Sequence, residues 1–331
     1  ILGDSRASGG EEAHVSEQVV AAVVEAVRHR HPDAVQIAAR AVEPQAEGGS
    51  GSLLAVEVTW LAGGQQQAAW FAAKPDEGGA ERRILAAVAE TSVPVPRLVE
   101  GDPASPVLIM EHLPGRPADE VLRGAGMRWE VSAHAFTVAR ALAEVHALSW
   151  TQVAPWLADP EALPEDLVDD QVQARWEQWE ARIAALPAEA RSPFSAALAW
   201  LDLRRPVEVS VCLCHGDFRL ANVLLVDGEV SGIVGWSAAR VADASEDVAT
   251  LAVDLGTLGV PVETAELFMQ ALLGAYLQAS PRYLMNLPFS TVARLLDRAL
   301  AAVEAGDPSA PDAVVAMQRA MAGAGQVPWR T

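Results

Sequence analysis

The sequence predicts an α+β chain in which a small, antiparallel β-rich N-terminal lobe precedes a large, mainly helical C-terminal lobe. Three observations predict it. Short β-type runs separated by glycine-rich breaks occupy the N-terminal part, helical periodicity dominates from about residue 117, and one small β-type stretch within residues 213–240 interrupts the helices. The lobes are assigned to residues 1–111 and 112–331.

Residues 15–29, VSEQVVAAVVEAVRH, carry apolar side chains at helical spacing, and the His31-Pro32 pair sets the end of that helix. VQIAARAVE, LLAVEVTWL and QAAWFAAK follow as strands, because EGGSGS and AGGQQQ supply glycine where the chain must turn. ERRILAAVAE returns to helical spacing, and VPVPRLVE and VLIMEHL are extended segments. Beyond them EVSAHAFTVARALAEVHAL, QVQARWEQWEARIAAL and PFSAALAWLDL read as helices. His134 and His146 fall in the first of these, where a packed or surface imidazole is expected rather than a metal ligand.

Composition excludes several classes of function. The 331 residues are 51% hydrophobic with mean hydropathy +0.15, enough to bury one large core or two joined ones. No apolar run approaches the ~20 residues needed to cross a bilayer, and ILGDSRASGGEEAH has neither the basic nor the apolar region of a signal peptide, so a cytoplasmic protein is expected. A net charge of −20 argues against nucleic acid and anionic membranes, both of which require clustered Lys and Arg. Cys212 and Cys214 share one face of the strand VSVCLC and read as buried thiols. All but one of the 24 basic residues are arginine, leaving Lys74 as the only lysine, and asparagine occurs only at 222 and 286. A chain that replaces Lys with Arg keeps Lys where a planar guanidinium cannot serve, as at a tight phosphate contact.

The chemistry concentrates in LCHGDFRLANVLLVDGEVSGIVGWSAAR, residues 213–240. Asp227-Gly228 between two apolar runs signals a two-residue hairpin, which gathers Asn222, Gly235 and the loop carrying Asp217 at one end. His215-Gly216-Asp217 with Asn222 reproduces the H-R-D-x-x-x-x-N spacing of a kinase catalytic loop. In phosphoryl transfer the aspartate takes or orients the acceptor hydroxyl proton, while the asparagine and a second carboxylate hold magnesium on the nucleotide phosphates.

With these motifs the chain resembles the aminoglycoside phosphotransferase and choline kinase-like family, small-molecule kinases with the protein-kinase-like fold. HGDFRLANVLL is similar to its catalytic loop, GIVGWSAARVADASEDVATL to the following segment, WFAAKP to its nucleotide-lysine strand and ERRIL to the helix bearing the glutamate partner. The resemblance covers most of residues 15–275. It implies ATP or GTP and Mg2+ as cofactors and a small hydroxylated acceptor, antibiotics among the candidates. By matching position, Asp217 is the implied catalytic base and Asn222 a magnesium ligand. Lys74 is the implied phosphate contact, held by Glu81 with Glu77 as the rival partner. Gly49, Ser50 and Gly51 are the implied loop over the nucleotide, Met110 and Glu111 the approach to the interlobe hinge, and His215 and Asp247 supports of the catalytic loop.

One position departs from the family. The residue before the Trp of its I-D-W segment is a metal-binding aspartate, and here it is Gly235. Asp243 or Glu246 could replace the missing carboxylate. The alternative to an enzyme is a non-catalytic nucleotide- or small-molecule-binding protein of the same fold. For the acceptor, the acidic run DPEALPEDLVDD would suit a polyamine, and Trp176 with Trp179 an apolar alcohol. The simpler expectations are a solvated loop and core packing.

Overall fold

A computed structural model describes residues 8–42, 53–76, 78–99 and 105–323. The chain forms two compact units. The smaller runs to Gly115 and takes in Ser231–Ser237, and the larger comprises Arg116–Val230 and the chain from Ala238 onward. Compared with a single cut after residue 111, this division falls after Gly115 and adds the 231–237 return.

The smaller unit is an antiparallel four-stranded sheet, ordered β1 (Val35–Val42), β2 (Leu54–Ala62), β3 (Gln65–Pro75) and β4 (Val107–Glu111). Helix α1 (Ser8–Arg30) precedes it, beginning seven residues before the 15–29 segment. Leu54, Val56, Val58 and Trp60 alternate along β2 on its buried face, and with Val19, Val23 and Val27 of α1 they form the unit's core. Gly63 and Gly64 join β2 to β3 with φ of 56° and 79°, the positive values a two-residue hairpin turn requires. Helix α2 (Ala80–Val88) follows β3 and buries Glu81, Ile84, Leu85 and Val88.

In the larger unit, β5 (Arg116–Pro117), α3 (Ala118–Gly124), α4 (Arg128–Ala147), α5 (Trp150–Val153), α6 (Pro164–Ala185) and α7 (Ser192–Asp202) lead to the central β element. That element comprises β6 (Val211–Cys214), β7 (Val223–Val226), β8 (Glu229–Ile233) and β9 (Arg240–Asp243). The last part of β8 belongs to the smaller unit. Strands β5, β7 and β8 form one small sheet, and β6 pairs antiparallel with β9. Asp227 and Gly228 join β7 to β8 with φ of 51° and 85°, so the hairpin has the backbone its sequence requires. Helices α8 (Ser245–Leu255), α9 (Val262–Ala279), α10 (Leu287–Glu304) and α11 (Ala310–Ala322) complete the unit. Its main core joins Val172, Trp179 and Ile183 of α6 to Phe194 and Leu201 of α7, Leu296 of α10 and Met317 of α11.

Candidate active site

Lys74, near the end of β3, is 9% exposed, and its Nζ lies 2.5 Å from Glu81 Oε2. The other oxygen, Oε1, accepts the Trp236 amide at 3.2 Å. One buried carboxylate thus ties the only lysine to the backbone that directly follows Gly235. Glu81 is therefore the partner seen for Lys74, while Glu77 lies outside the described residues. Gly235 has φ of 82°, in the left-handed region that glycine enters freely and that Asp and Asn tolerate better than other residues. Met110 is buried and Glu111 exposed at the end of β4, with the Glu111 amide donating to Arg97 O at 2.9 Å. Gly49, Ser50 and Gly51 lie outside the described residues.

In the larger unit β6 delivers the chain into the loop His215–Asn222. The amides of His215 and Gly216 both donate to the Asp247 carboxylate, at 2.7 and 2.8 Å, and His215 Nδ1 accepts the Asp217 amide at 3.2 Å. A bend this tight requires Gly216. Its φ is 84°, and a Cβ there would run into the backbone carbonyl of Ala238. Asp247 stands in the first turn of α8, where His146 Nε2 lies 3.2 Å from Oδ2, and His146 Nδ1 is 2.6 Å from the Tyr276 hydroxyl. Burial alone would lower the His146 pKa, but the hydrogen bond to Asp247, with contributions from Cys214, holds it well above the ordinary histidine value. Burial would likewise raise Asp247, and the hydrogen bond and charge of His146 keep it below the ordinary carboxylate range.

This anchored loop presents Asp217 and Asn222 together. Asn222 Nδ2 donates to Asp217 O at 2.8 Å and to Asp217 Oδ2 at 3.3 Å, which turns the amide oxygen Oδ1 away from those bonds as a hard ligand suited to a divalent cation. Arg219 contacts Asp217 Oδ2 at 2.9 Å through Nη2, and Arg294 contacts Oδ1 at 3.3 Å. Both carboxylate oxygens of the implied base are therefore held by guanidinium groups. Asp243 and Glu246 are engaged elsewhere. Asp243 accepts the Ser210 and Ser245 amides and Asn286 Nδ2, and Glu246 is paired with Arg175 and Arg240. In the larger unit Asn222 Oδ1 thus fits a divalent cation, and in the smaller unit Gly235 offers no side chain to one.

A cavity of about 390 Å³ in the larger unit is lined by Arg219, Thr250, Asp254, Thr257, Arg294 and Arg298 among others. Neither acceptor-binding alternative raised by the sequence contributes to it. Trp179 is buried with Nε1 on Asp297, Trp176 packs edge-on against it, and the acids from Asp159 to Asp170 are exposed. Cys212, Cys214 and His146 form a buried group with ligand atoms within 4.8 Å of one another. Both imidazole nitrogens already have partners, and the hydrogen bond between Cys214 and Cys212 together with burial pushes the Cys214 thiol well up, so these remain packed thiols.

Sequence reasoning did not find His146 as the partner of Asp247, nor Arg294, Arg298 and Asp254. Arg294 lies 77 residues beyond Asp217, and no spacing rule links them.

Sheet, buried Lys–Glu pair and anchored Asp–Asn loop define a protein-kinase-like α+β fold. Solved structures share it. A choline/ethanolamine kinase family protein from Mesorhizobium loti is 15% identical with a TM-score of 0.55, over 80% of this chain and 84% of that one. A thermostable mutant of aminoglycoside phosphotransferase APH(4)-Ia, in ternary complex with ADP and hygromycin B, is 14% identical with a TM-score of 0.61, over 92% and 99%. APH(2″)-IIIa in complex with GDP and kanamycin is 15% identical with a TM-score of 0.56, over 90% and 97%. The model of the phosphotransferase enzyme family, APH, matches residues 60–285, and the chain belongs to that family. Among curated proteins, acyl-CoA dehydrogenase family member 10 of Mus musculus is 27% identical over 178 residues. The match covers 51% of this chain, which spans only 16% of that protein's length.

Proposed function

We propose that this chain is a cytoplasmic, nucleotide-dependent O-phosphotransferase acting on a small hydroxylated molecule. The observation that carries the reading is the loop in which Asn222 is tied to Asp217 while Asp247 holds the preceding amides. Asp217 takes the acceptor's hydroxyl proton as the oxygen forms its bond to the terminal phosphorus of ATP or GTP. The bond to the bridging oxygen breaks, and the nucleoside diphosphate leaves. Lys74, positioned by Glu81, contacts the phosphates. Gly49, Ser50 and Gly51, with Met110 and Glu111, are assigned to nucleotide binding by the family resemblance. His215 and Asp247 keep the catalytic loop in shape. Magnesium, when bound through Asn222 Oδ1, phosphate oxygens and water, supplies neutralisation of phosphate charge. No nucleic acid or membrane partner is required, and no helix among the described residues is long and apolar enough to cross a membrane.

Gly235 favours a second reading, a protein that binds nucleotide without transferring phosphate, because one carboxylate of the metal site is absent. A metal ligand contributing several kcal/mol corresponds to about 10²-fold or more in rate. Asp is among the residues that tolerate the backbone found at 235, so Gly235→Asp restores the carboxylate at modest conformational cost. Phosphate transfer followed by 31P NMR should be slow in this chain and at least about tenfold faster in Gly235→Asp. Nucleotide binding by both proteins with no transfer by either would establish the non-catalytic reading.

A further inference from the structure

We propose that the acceptor is a hydroxylated anion, a molecule bearing a carboxylate or phosphate group besides its reacting hydroxyl, bound in the cavity of the larger unit with Arg298 and Arg294 facing the anion. The inference rests on the phosphotransferase reading and names the substrate class of that site.

At about 390 Å³ the cavity is of a size that suits a small metabolite. Its wall is linked to the implied base, since Arg219 and Arg294 line it and also hold the two oxygens of Asp217. Arg298 lines it as well, is exposed, and forms no ion pair among the described residues. Three arginines therefore line one space, and a guanidinium is suited to planar, bidentate oxyanions.

Arg219 and Arg294 are paired with Asp217, and the lining carboxylates do not pair with Arg298. Asp297 is committed to Arg175 Nη2 at 2.7 Å and to Trp179 Nε1 at 2.6 Å. Asp254 receives the Leu220 amide, yet its Oδ2 is buried without a hydrogen-bond partner, and burial pushes its carboxyl above the ordinary range. A polyamine needs several free carboxylates and finds one such oxygen among arginines. A hydroxylated anion finds a partner for each group: guanidinium for the anion, Asp217 for the reacting hydroxyl, and Asp254 Oδ2 for a second hydroxyl. The acidic run of residues 159–170, the other attraction for a polycation, is exposed to solvent and absent from the cavity lining.

The test uses the full chain with magnesium and ATP or GTP. The acceptors offered are 4-hydroxybutyrate and glycerate, glycerol 3-phosphate, neutral butane-1,3-diol, and polycationic kanamycin. Transfer is read by 31P NMR, and nucleotide and acceptor binding by calorimetry. The expected result is transfer to an anionic acceptor whose KM rises at least about tenfold in Arg298→Glu, with nucleotide affinity unchanged. The carboxylate and phosphate arms then tell which anion is taken. Arg298 is exposed, so the substitution should leave the fold intact, and unchanged nucleotide binding by the variant confirms it. The inference is overturned if the diol or kanamycin is preferred, if Arg298→Glu leaves the anion's KM in place, or if no anion binds. Transfer to a non-anionic acceptor would leave the phosphotransferase reading standing, whereas absence of nucleotide binding would remove that reading itself.

Discussion

Gly216 and Glu81 do their work at the scale of single atoms. Gly216 passes between the Asp247 carboxylate, to which its amide donates, and the Ala238 carbonyl, against which a methyl group has no room. Gly216→Ala meets a positive φ and a backbone clash together, and should cost several kcal/mol. Circular dichroism melts will check this, and a variant as stable as the parent would contradict the loop geometry. Glu81 divides its two oxygens between Lys74 and the Trp236 amide. At this scale the sequence was informative where a residue was rare. The only lysine is the one buried against Glu81, and one of the two asparagines is the one tied to Asp217. It was silent on Arg294, Arg298 and Asp254, since arginine and aspartate are common in this chain and only tertiary packing of α8 and α10 brings these three to one cavity.

The His215–Asn222 loop is a shared construction of β6, α8 and α4. Asp247 in α8 accepts both loop amides, and His146 near the end of α4 supplies the charge that lets a fully buried carboxylate stay ionised. His146 has a raised pKa in the folded chain, so its contribution is complete below the ordinary histidine value of about 6.5 and is lost as pH rises through the raised value. Asp247 has a lowered pKa, so its contribution is present above about 3.9 and is lost as pH falls through the lowered value. Protection of the His215 and Gly216 amides from hydrogen exchange, corrected for intrinsic rates, should therefore decline as pH is raised beyond about 6.5. His146→Gln should lose about 3 kcal/mol or more of that protection and no longer show the decline, because it leaves the buried carboxylate without its cation. The same pH profile in both proteins would contradict the pairing. Element types were legible because β-runs bounded by glycine and amphipathic helices are local patterns. Hairpin residues Asp227 and Gly228 even announced their backbone angles. The bond from α4 to α8 was not legible, for His146 and Asp247 are 101 residues apart and a buried histidine has no local signature.

For the whole molecule, the fold and the family follow from motifs that each occupy one short segment, whereas the acceptor depends on side chains gathered from distant helices. The net charge of −20 argues against phosphate-backbone partners, but it does not describe the cavity, whose lining includes Arg219, Arg294 and Arg298. A bulk charge is an average that a site need not share. Nucleotide recognition by the chain is tested by calorimetric titration with ATP and GTP. It is run with and without magnesium, on this chain and on Lys74→Ala. Saturable binding that magnesium strengthens and that Lys74→Ala weakens at least about tenfold is the predicted result. Absence of binding by the parent chain, or equal affinity in Lys74→Ala, would contradict it.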